Sequence, residues 1–255
     1  MAGFVYSPDP AIENHTSTFN ANSSTPNGGS INNYIWKFDD GNITETANPI
    51  ITHVYASHET YNVTLTVEDD EGLNDTTWQL VQVLRHDVAI IDVTPYCNWT
   101  YEGWSISINV TVANEGNFTE TVTVDLYYNI TAGNKIGTKT VDLFTDETEI
   151  LTFTWDTTSV KPCRNYTITA NATISIESDI TDNLLNSTSK IHVRMLGDIT
   201  GDNAVRVDDV LKVASAFNSQ LGDPRWESAG DLNRDGKIRV NDILAVALNF
   251  GKECA

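Results

Sequence analysis

The chain has 255 residues, with 35 acidic and 15 basic side chains and a formal net charge of -20. A surface this acidic repels nucleic acid phosphates and anionic lipids, so nucleic-acid binding is excluded as a function class. No apolar run approaches the roughly 20 residues that a membrane helix needs, so we expect no transmembrane segment. The length leaves room for about two ordinary domains and an extra short module.

Residues 1–85 have the texture of a β-sandwich, because short alternating strands are separated by turn clusters such as SPDP and TPNGGS. The best-defined strand is YNVTLTVED, which places four side chains on one inward face: Tyr61, Val63, Leu65 and Val67. The stretches WKFDDGN at 36–42 and HVYASHETYNVTLTVEDDEG at 53–72 resemble the polycystic kidney disease (PKD) domain, an immunoglobulin-like sandwich. The resemblance implies that Trp36 and Phe38 are core residues. Asp39 stands where that family usually has glycine.

Residues 86–195 predict a second sandwich, with strand-like segments such as SISINVTVANEGN and EILTFTWDT separated by turns. The strand order and the VTVANEGN turn resemble the cell-adhesion-related (CARDB) domain, which is also immunoglobulin-like. Three tryptophans, Trp99, Trp104 and Trp155, are candidates for stacking on carbohydrate rings. Trp155 alternates with Leu151 and Phe153, which favours the core, so glycan adhesion is the weakest of the functional hypotheses.

Asn-X-Ser/Thr glycosylation acceptors recur before residue 197 and are absent after it. In NYTITANATISI the alternation leaves Thr169 on the predicted solvent face, together with the acceptor asparagines and their hydroxyl partners. The acceptors that this geometry favours are Asn62, Asn109, Asn165 and Asn171. These patterns predict a glycosylated extracellular or cell-surface protein; ordinary polar residues on exposed strands are the alternative.

Cysteine use fits an oxidising compartment. Cys97 and Cys163 bracket a β-rich segment and can form a bridge that stabilises the fold by roughly 4 kcal/mol. Cys254 is then left over, either free or linked to another molecule.

Residues 197–251 contain an internal repeat, because a shift of 33 residues superposes one half on the other. The matched pairs include Asp198 with Asp231, Asp209 with Asp242, and Phe217 with Phe250. Ten aligned positions of this kind indicate a duplicated unit.

Each half carries oxygen ligands at positions 1, 3, 5, 7 and 12 of a loop, the pattern that binds Ca²⁺. Loop 1 supplies Asp198, Thr200, Asp202, the carbonyl of Ala204 and Asp209, and loop 2 supplies Asp231, Asn233, Asp235, the carbonyl of Lys237 and Asp242. We therefore expect two calcium ions, with weaker binding at loop 1 because Thr200 is a poorer ligand than Asn233. Asn203 and Gly236 suit the left-handed turn, and Ile238 is expected to bridge the two loops. An Asp-rich surface turn is the alternative.

An amphipathic helix is predicted after each loop. Their apolar residues are expected to pack on each other: Val210, Leu211, Ala214 and Phe217, then Ile243, Leu244, Ala247 and Phe250. This loop-then-helix pair resembles dockerin, so residues 196–255 are expected to form a small all-α calcium-binding dockerin. The resemblance implies docking to a cohesin domain through loop positions ten and eleven, which are Val207, Asp208, Val240 and Asn241.

The fold class predicted for the whole chain is mainly β, with two immunoglobulin-like sandwiches followed by the dockerin. Nucleophile-elbow, zinc-protease and phosphate-loop motifs are missing from the sequence, so we expect a non-catalytic protein. The leading hypothesis is a surface protein whose dockerin binds a cohesin while glycosylated sandwiches act as spacers. The alternatives are a filament or stalk subunit that assembles with its own kind and, less favoured, a glycan-binding adhesin.

Overall fold

The computed structural model of the protein describes residues 1–254 and, at Ala132, the backbone alone. Its first part, which we call the first sandwich, is built from the strands β1 (Val5–Ser7), β2 (Ala11–Ile12), β3 (Thr16–Asn20), β4 (Ile31–Lys37), β5 (Ile43–Thr46), β6 (Ile50–Val54), β7 (Thr60–Asp69) and β8 (Asn74–Leu84). One sheet has the order β1-β3-β6 and the other has the order β2-β8-β7-β4-β5.

The core of the first sandwich confirms the alternation predicted for β7, because its four inward residues from Tyr61 to Val67 are all buried. Trp36 and Phe38 are fully buried, as the family resemblance implies, and both rings pack edge-on against Phe19. Asp39 takes a φ of +66°, the left-handed conformation in which glycine is favoured. The turn is therefore kept despite the substitution, and Asp39 Oδ2 accepts a hydrogen bond from the Asn62 amide at 2.9 Å.

The second sandwich contains β9 (Val88–Pro95), β10 (Trp99–Tyr101), β11 (Ser105–Asn114), β12 (Glu120–Tyr128), β13 (Lys135–Leu143), β14 (Thr148–Asp156), β15 (Arg164–Tyr166), β16 (Ile168–Thr173), β17 (Leu184–Asn186) and β18 (Ile191–Arg194). Two main sheets have the orders β14-β11-β9 and β13-β12-β16-β17. A third, small sheet has the order β10-β18-β15, in which β10 and β18 run parallel. Trp155 is buried and stacks on Tyr128, so the core assignment made from the sequence is confirmed.

The predicted glycosylation residues differ in exposure. Asn62, Asn109 and Asn165 are exposed, whereas Asn171 is half-buried. The expectation that Thr169 faces solvent is wrong, because its hydroxyl donates to Asn186 Oδ1 on the neighbouring β17 at 2.6 Å and the residue is only 1% exposed. Whether the acceptors carry glycan stays a prediction.

Residues 196–254 form a terminal module with two short helices, α1 (Val207–Ser215) and α2 (Val240–Leu248). The module is not purely helical, because single antiparallel bridges join Ala204 to Glu253 and Gln220 to Lys237. Among the described residues, neither helix has the length and apolar character needed to cross a membrane.

The predicted packing of the two helices is wrong in its details. Val213 and Val246 are the fully buried apolar residues of the helices, and Val210 and Ile243 are half-buried. The other residues expected at the helix contact are exposed: Leu211, Ala214, Phe217, Leu244, Ala247 and Phe250. The helices turn a different face inward because they pack on a shared core that includes Tyr101 and Met195 as well as on each other.

The predicted bridge between Cys97 and Cys163 is also wrong. The disulfide joins Cys163 to Cys254, with a Cα–Cα distance of 6.1 Å, and Cys97 is free. The module folds back over the small sheet, and this brings the end of the chain next to the segment that precedes β15. The bridge therefore ties the terminal module to the second sandwich.

Replacing Cys254 by Ser should lower the free energy of unfolding by about 3 kcal/mol, because the bridge closes a long loop. The measurement is chemical denaturation, with Cys97→Ser as the matched control because it leaves the bridge intact. The control should change the value by less than about 1 kcal/mol. A cross-linked peptide that joins Cys97 to Cys163 in a non-reducing digest would contradict the pairing.

Candidate metal centres

Loop 1 winds around the carboxylate of Asp198, which is fully buried. Its Oδ1 accepts hydrogen bonds from the amides of Gly201 at 2.7 Å and Asp202 at 3.1 Å, and its Oδ2 accepts one from Asn203 at 3.1 Å. Asn203 has a φ of +69°, as the sequence predicted for this turn. Three amide donors thus hold one carboxylate and curl the backbone around it.

Loop 2 repeats this arrangement at the positions related by the 33-residue shift. Asp231 Oδ1 accepts from the Asp235 amide at 3.1 Å, and its Oδ2 accepts from the Gly236 amide at 2.9 Å. Gly236 has a φ of +77°, which confirms the predicted left-handed turn. Asn233 joins the network, because its Oδ1 also accepts from the Asp235 amide at 3.0 Å. The repeat seen in the sequence is therefore a repeat of local geometry.

The aspartate at position 12 of each loop connects the loop to the helix that follows. Asp209 Oδ1 accepts from the amide and the hydroxyl of Thr200, and its Oδ2 accepts from the Arg206 amide at the start of α1. Asp242 bonds in the same way to the amides of Leu232 and Arg239. An acceptor at the third helical position satisfies an amide that the helix leaves unpaired. The beginning of each helix is thus fixed by a loop carboxylate.

The pairing of the loops differs from the prediction for Ile238. Ile238 exchanges backbone hydrogen bonds with Asn218 and Ser219, which follow α1, rather than with loop 1. In the same way Val205 of loop 1 exchanges hydrogen bonds with residues 251–252, which follow α2. Loop 1 is therefore held by the segment that follows α2, and loop 2 is held by the segment that follows α1.

The backbone carbonyls at position 7 remain free for a ligand. The hydrogen bonds of the two antiparallel bridges are made by the residues on either side of position 7: Asn203 and Val205 in loop 1, and Gly236 and Ile238 in loop 2. Within residues 1–254, none of the hydrogen bonds uses the carbonyl oxygen of Ala204 or Lys237. This is the arrangement that a loop needs if its position-7 carbonyl is to bind a cation.

The donor set fits Ca²⁺, a hard cation that takes oxygen ligands at about 2.3–2.6 Å. Carboxylate oxygens of Asp198, Asp202 and Asp209 lie within 4.8 Å of one another, close enough to share one ion. Burial raises the pKa of Asp198, and the negative charge of Asp209 raises it further. The pKa of Asp231 is raised by burial and by Asp242 and Asp235. Loop 1 therefore gathers three carboxylates where a cation would offset their charge, whereas the carboxylates of Asp231, Asp235 and Asp242 in loop 2 do not lie within 4.8 Å of one another among the described residues.

Tyr101, at the end of β10, contacts the first residue of loop 1 and the segment just before loop 2. Its single hydroxyl hydrogen is within reach of two carbonyl oxygens, that of Ala229 at 2.9 Å and that of Asp198 at 3.2 Å. The side chain is fully buried in the core that the second sandwich shares with the module. Sequence reasoning missed this residue, because nothing in its local pattern separates it from other strand aromatics.

The two tryptophans considered for carbohydrate stacking lie beside Tyr101 and contact arginines. The guanidinium of Arg194 lies over Trp99 at 4.3 Å, and that of Arg234 lies over Trp104 at 3.9 Å. Arg234 also donates to the carbonyl oxygen of Ser105 at 3.2 Å. The Arg234–Trp104 contact thus attaches loop 2 to the second sandwich, whereas the Arg194–Trp99 contact lies within the second sandwich.

The predicted partner-binding residues lie at the start of each helix and are exposed. Val207 is 62% exposed and Val240 is 65% exposed, and Asp208 and Asn241 beside them are exposed as well. Each valine begins an apolar ridge that continues one turn later, at Leu211 on α1 and at Leu244 and Leu248 on α2. The geometry thus places a solvent-facing apolar ridge on each of the two repeats.

The fold is mainly β, with two sandwiches followed by a terminal module that contains two short helices. The family model of the PKD domain matches residues 5–83, so the resemblance noted in the sequence of the first sandwich is confirmed. The chain is 38% identical over 65 residues to collagenase ColA of Bacillus cereus and 39% identical over 67 residues to the pre-pro-metalloprotease PrtV of Vibrio cholerae. In both cases the match covers 26% of this chain and 7% of the relative.

Solved structures give further likenesses. The PKD1 domain of Vibrio cholerae PrtV is 29% identical and the match covers 32% of this chain and 93% of that domain, with a TM-score of 0.28. A CARDB domain from Pyrococcus furiosus, solved in complex with di-metal ions, is 21% identical and the match covers 43% of this chain and 96% of that domain, with a TM-score of 0.35.

Replacing Tyr101 by Phe should lower the free energy of unfolding by about 1–3 kcal/mol, because buried carbonyl groups lose their donor. The loss should be visible in urea denaturation followed by the helical circular dichroism signal. Tyr96→Phe is the matched control, since Tyr96 is 87% exposed, and it should change the value by less than about 0.5 kcal/mol. Equal unfolding midpoints for the two variants would show that the hydroxyl does not support the loops.

Proposed function

We propose that this chain is a non-catalytic part of an extracellular surface protein whose calcium-loaded terminal module docks to a cohesin domain. The two sandwiches are then glycosylated spacers that hold the module away from the surface. The observation that carries the proposal is the pair of repeat-related apolar ridges, each beginning directly after an acidic loop. Domain limits at residues 85 and 195 are part of the same proposal.

The exposed ridges support docking because isolated surface leucines are ordinary, whereas a run of them on one helix face marks an interaction surface. Leu244 is 55% exposed and Leu248 is 76% exposed, one turn apart on α2. On α1 the ridge runs from Val207 to Leu211. The near-identity of the two ridges also permits two docking orientations.

The loops support calcium dependence because the same carboxylates organise the turn and begin the helix. With the ion removed, Asp198, Asp202 and Asp209 would hold like charges within 4.8 Å of one another. Such repulsion is relieved by a divalent cation, so binding and folding of the module are linked. The acidity of the sandwiches, with 25 acidic and 8 basic residues before residue 197, supports solubility of a spacer.

A calcium titration of the full chain should reveal two sites of unequal affinity, and a chelator should remove most of the helical circular dichroism signal. Asp202→Ala should weaken calcium binding at the weaker site, and Asp235→Ala should weaken binding at the tighter site. Each substitution should lower the affinity of its own site by at least about tenfold. Asp223→Ala is the matched control, because Asp223 Oδ1 also accepts an amide hydrogen bond within a turn, from Arg225 at 2.8 Å, but lies outside both loops. Unchanged helicity in chelator, or a tighter first site, would contradict the expectation.

The double variant Leu211→Asp and Leu244→Asp should weaken binding to a cohesin by at least about tenfold for each substitution, because both apolar ridges acquire a charge. Calorimetry against a panel of purified cohesin domains, with calcium and with chelator, provides the measurement. Ile150→Asp is the matched control, since Ile150 is 58% exposed on β14 of the second sandwich. Failure of every cohesin to bind the unmodified chain would count against this partner.

Light scattering in the same two buffers distinguishes the alternative, in which the chain assembles with its own kind. Calcium-dependent growth in mass, abolished by the two leucine substitutions, would assign the ridges to self-assembly in a filament or stalk. A monomer in both buffers would favour a separate cohesin. Glycan adhesion is the least favoured function, because Trp99 and Trp104 are already engaged by arginines.

A further inference from the structure

The outer face of the five-stranded sheet in the first sandwich carries two neighbouring exposed apolar side chains. Trp78 is 63% exposed and Leu80 is 57% exposed. Both lie on the solvent face of β8, because residues two apart on a strand share a face. We call Trp78 and Leu80 the β8 patch. Single exposed apolar residues need no explanation, but a tryptophan and a leucine side by side on a flat sheet provide a surface that another group can cover.

The β8 patch also lies at an edge of the sheet. In the order β2-β8-β7-β4-β5, the short strand β2 pairs only with Val83 and Leu84. Among the described strands, the part of β8 from residue 74 to residue 82 is therefore paired on one side alone, with β7. An edge that carries exposed apolar side chains invites pairing with another chain, and proteins usually protect such edges. A group that covers the β8 patch would also hinder this association.

A glycosylation acceptor lies beside the β8 patch, across the ladder between β7 and β8. Asn62 and Thr64 are the acceptor and the hydroxyl residue of one Asn-X-Thr sequence. Asn62 lies directly opposite Leu80, and Thr64 lies directly opposite Trp78. Opposite side chains of an antiparallel pair share a face and have Cβ atoms about 5 Å apart. A sugar attached to Asn62 would thus start next to both apolar side chains.

The side chain of Asn62 is available for attachment. Its residue is exposed, its backbone amide donates to Asp39 Oδ2, and within residues 1–254 no hydrogen bond holds its side chain. Asn109 differs, because it lies opposite Thr94 and Thr152, and the Thr152 hydroxyl donates to its Oδ1 at 2.8 Å. Only polar side chains lie directly opposite Asn109, so this acceptor provides a comparison without an adjoining apolar patch.

The size and chemistry of the β8 patch favour a sugar over a protein partner. A stable protein interface covers about 800 Å² on each partner, whereas the β8 patch consists of two side chains. A sugar ring is comparable in size to an indole ring and can lay its apolar C–H face on an exposed aromatic side chain. Thr76 and Gln82 flank the patch on the same face of β8 and provide hydrogen-bonding groups for sugar hydroxyls.

We propose that Asn62 carries an N-linked glycan whose first sugar packs on Trp78 and Leu80. In the attachment reaction, the amide nitrogen of Asn62 forms a bond to C1 of the sugar while the bond from C1 to the diphosphate of a lipid-linked oligosaccharide donor breaks. The lipid diphosphate leaves with the electron pair of the broken bond, and the displaced amide proton passes to a base of the transferase. The attached glycan then covers the β8 patch and shields the free edge of β8.

The inference rests on the part of the proposed function that makes the sandwiches glycosylated spacers. It selects one acceptor and assigns a structural role to its glycan, which the spacer proposal does not do. Docking of the terminal module is a separate matter, because Asn62, Trp78 and Leu80 all belong to the first sandwich.

Peptide mass spectrometry of the full chain, produced by its source organism, tests both attachment and packing. Peptides that contain Asn62 should carry glycan. Hydroxyl-radical labelling of the intact protein then measures how accessible Trp78 is. Removing the glycan by Asn62→Gln should raise the labelling rate of Trp78 by at least about twofold, because the sugar no longer covers the indole ring. Thr64→Val, which removes the hydroxyl residue of the acceptor and keeps Asn62, should give the same increase.

Asn109→Gln is the matched control, because it removes an acceptor on the second sandwich and should leave the labelling rate of Trp78 unchanged. Two tyrosines serve as internal references in every variant. Tyr96, which is 87% exposed, should be labelled at the same rate throughout, and Tyr61, which is buried beside Asn62 on β7, should stay protected if the variants fold.

An unmodified Asn62 in a chain whose other acceptors carry glycan would overturn this inference and leave the glycosylated spacers standing. Absence of glycan from every acceptor would overturn both, whereas docking is tested by the cohesin measurements alone. Equal labelling of Trp78 in the unmodified chain and in Asn62→Gln would refute the packing. Protection of Trp78 in Asn62→Gln that grows with protein concentration would assign the β8 patch to a second copy of the chain and would also overturn the inference.

Discussion

The terminal module depends on one buried hydroxyl group from a different part of the chain. Tyr101 is placed by the small sheet of the second sandwich, and its hydroxyl reaches backbone carbonyls beside both acidic loops. The surrounding core is shared, since residues of both parts enclose it, and the Cys163–Cys254 disulfide joins the module's end to the sandwich. The module therefore packs against the second sandwich through a core to which residues of both contribute.

This arrangement explains how two short helices are maintained. Nine-residue helices are marginal in water, and most of their stability comes from packing and from satisfied ends. Here Val213 and Val246 supply the packing, and Asp209 and Asp242 satisfy the first amides. Because the same two aspartates close the loops, an ion in a loop and a helix after it stabilise each other. The leucines on the outer face of the helices are exposed and do not contribute to this packing, so they remain available to a partner.

The acidic residues of the chain fall into two groups with different physical roles. Most lie on the surface of the sandwiches, where they repel other chains and keep the protein soluble. A few are buried or half-buried, and among these burial raises the pKa of Asp198, Asp231, Asp87 and Glu177. In the terminal loops these carboxylates already accept backbone amide hydrogen bonds, and a cation would offset the negative charge that those amides leave.

The sequence by itself determined the features that depend on neighbours along the chain. The alternation of β7, the buried Trp36 and Phe38, the left-handed turns at Asn203 and Gly236, and the two loop-helix units are all local patterns. Tertiary structure decided which cysteines meet, which face of each helix is buried, and that Ile238 pairs with the segment after α1. It also selected Tyr101 as a contact of the terminal module. These features join residues far apart in the chain, so they depend on how the modules pack, which spacing in the sequence does not encode.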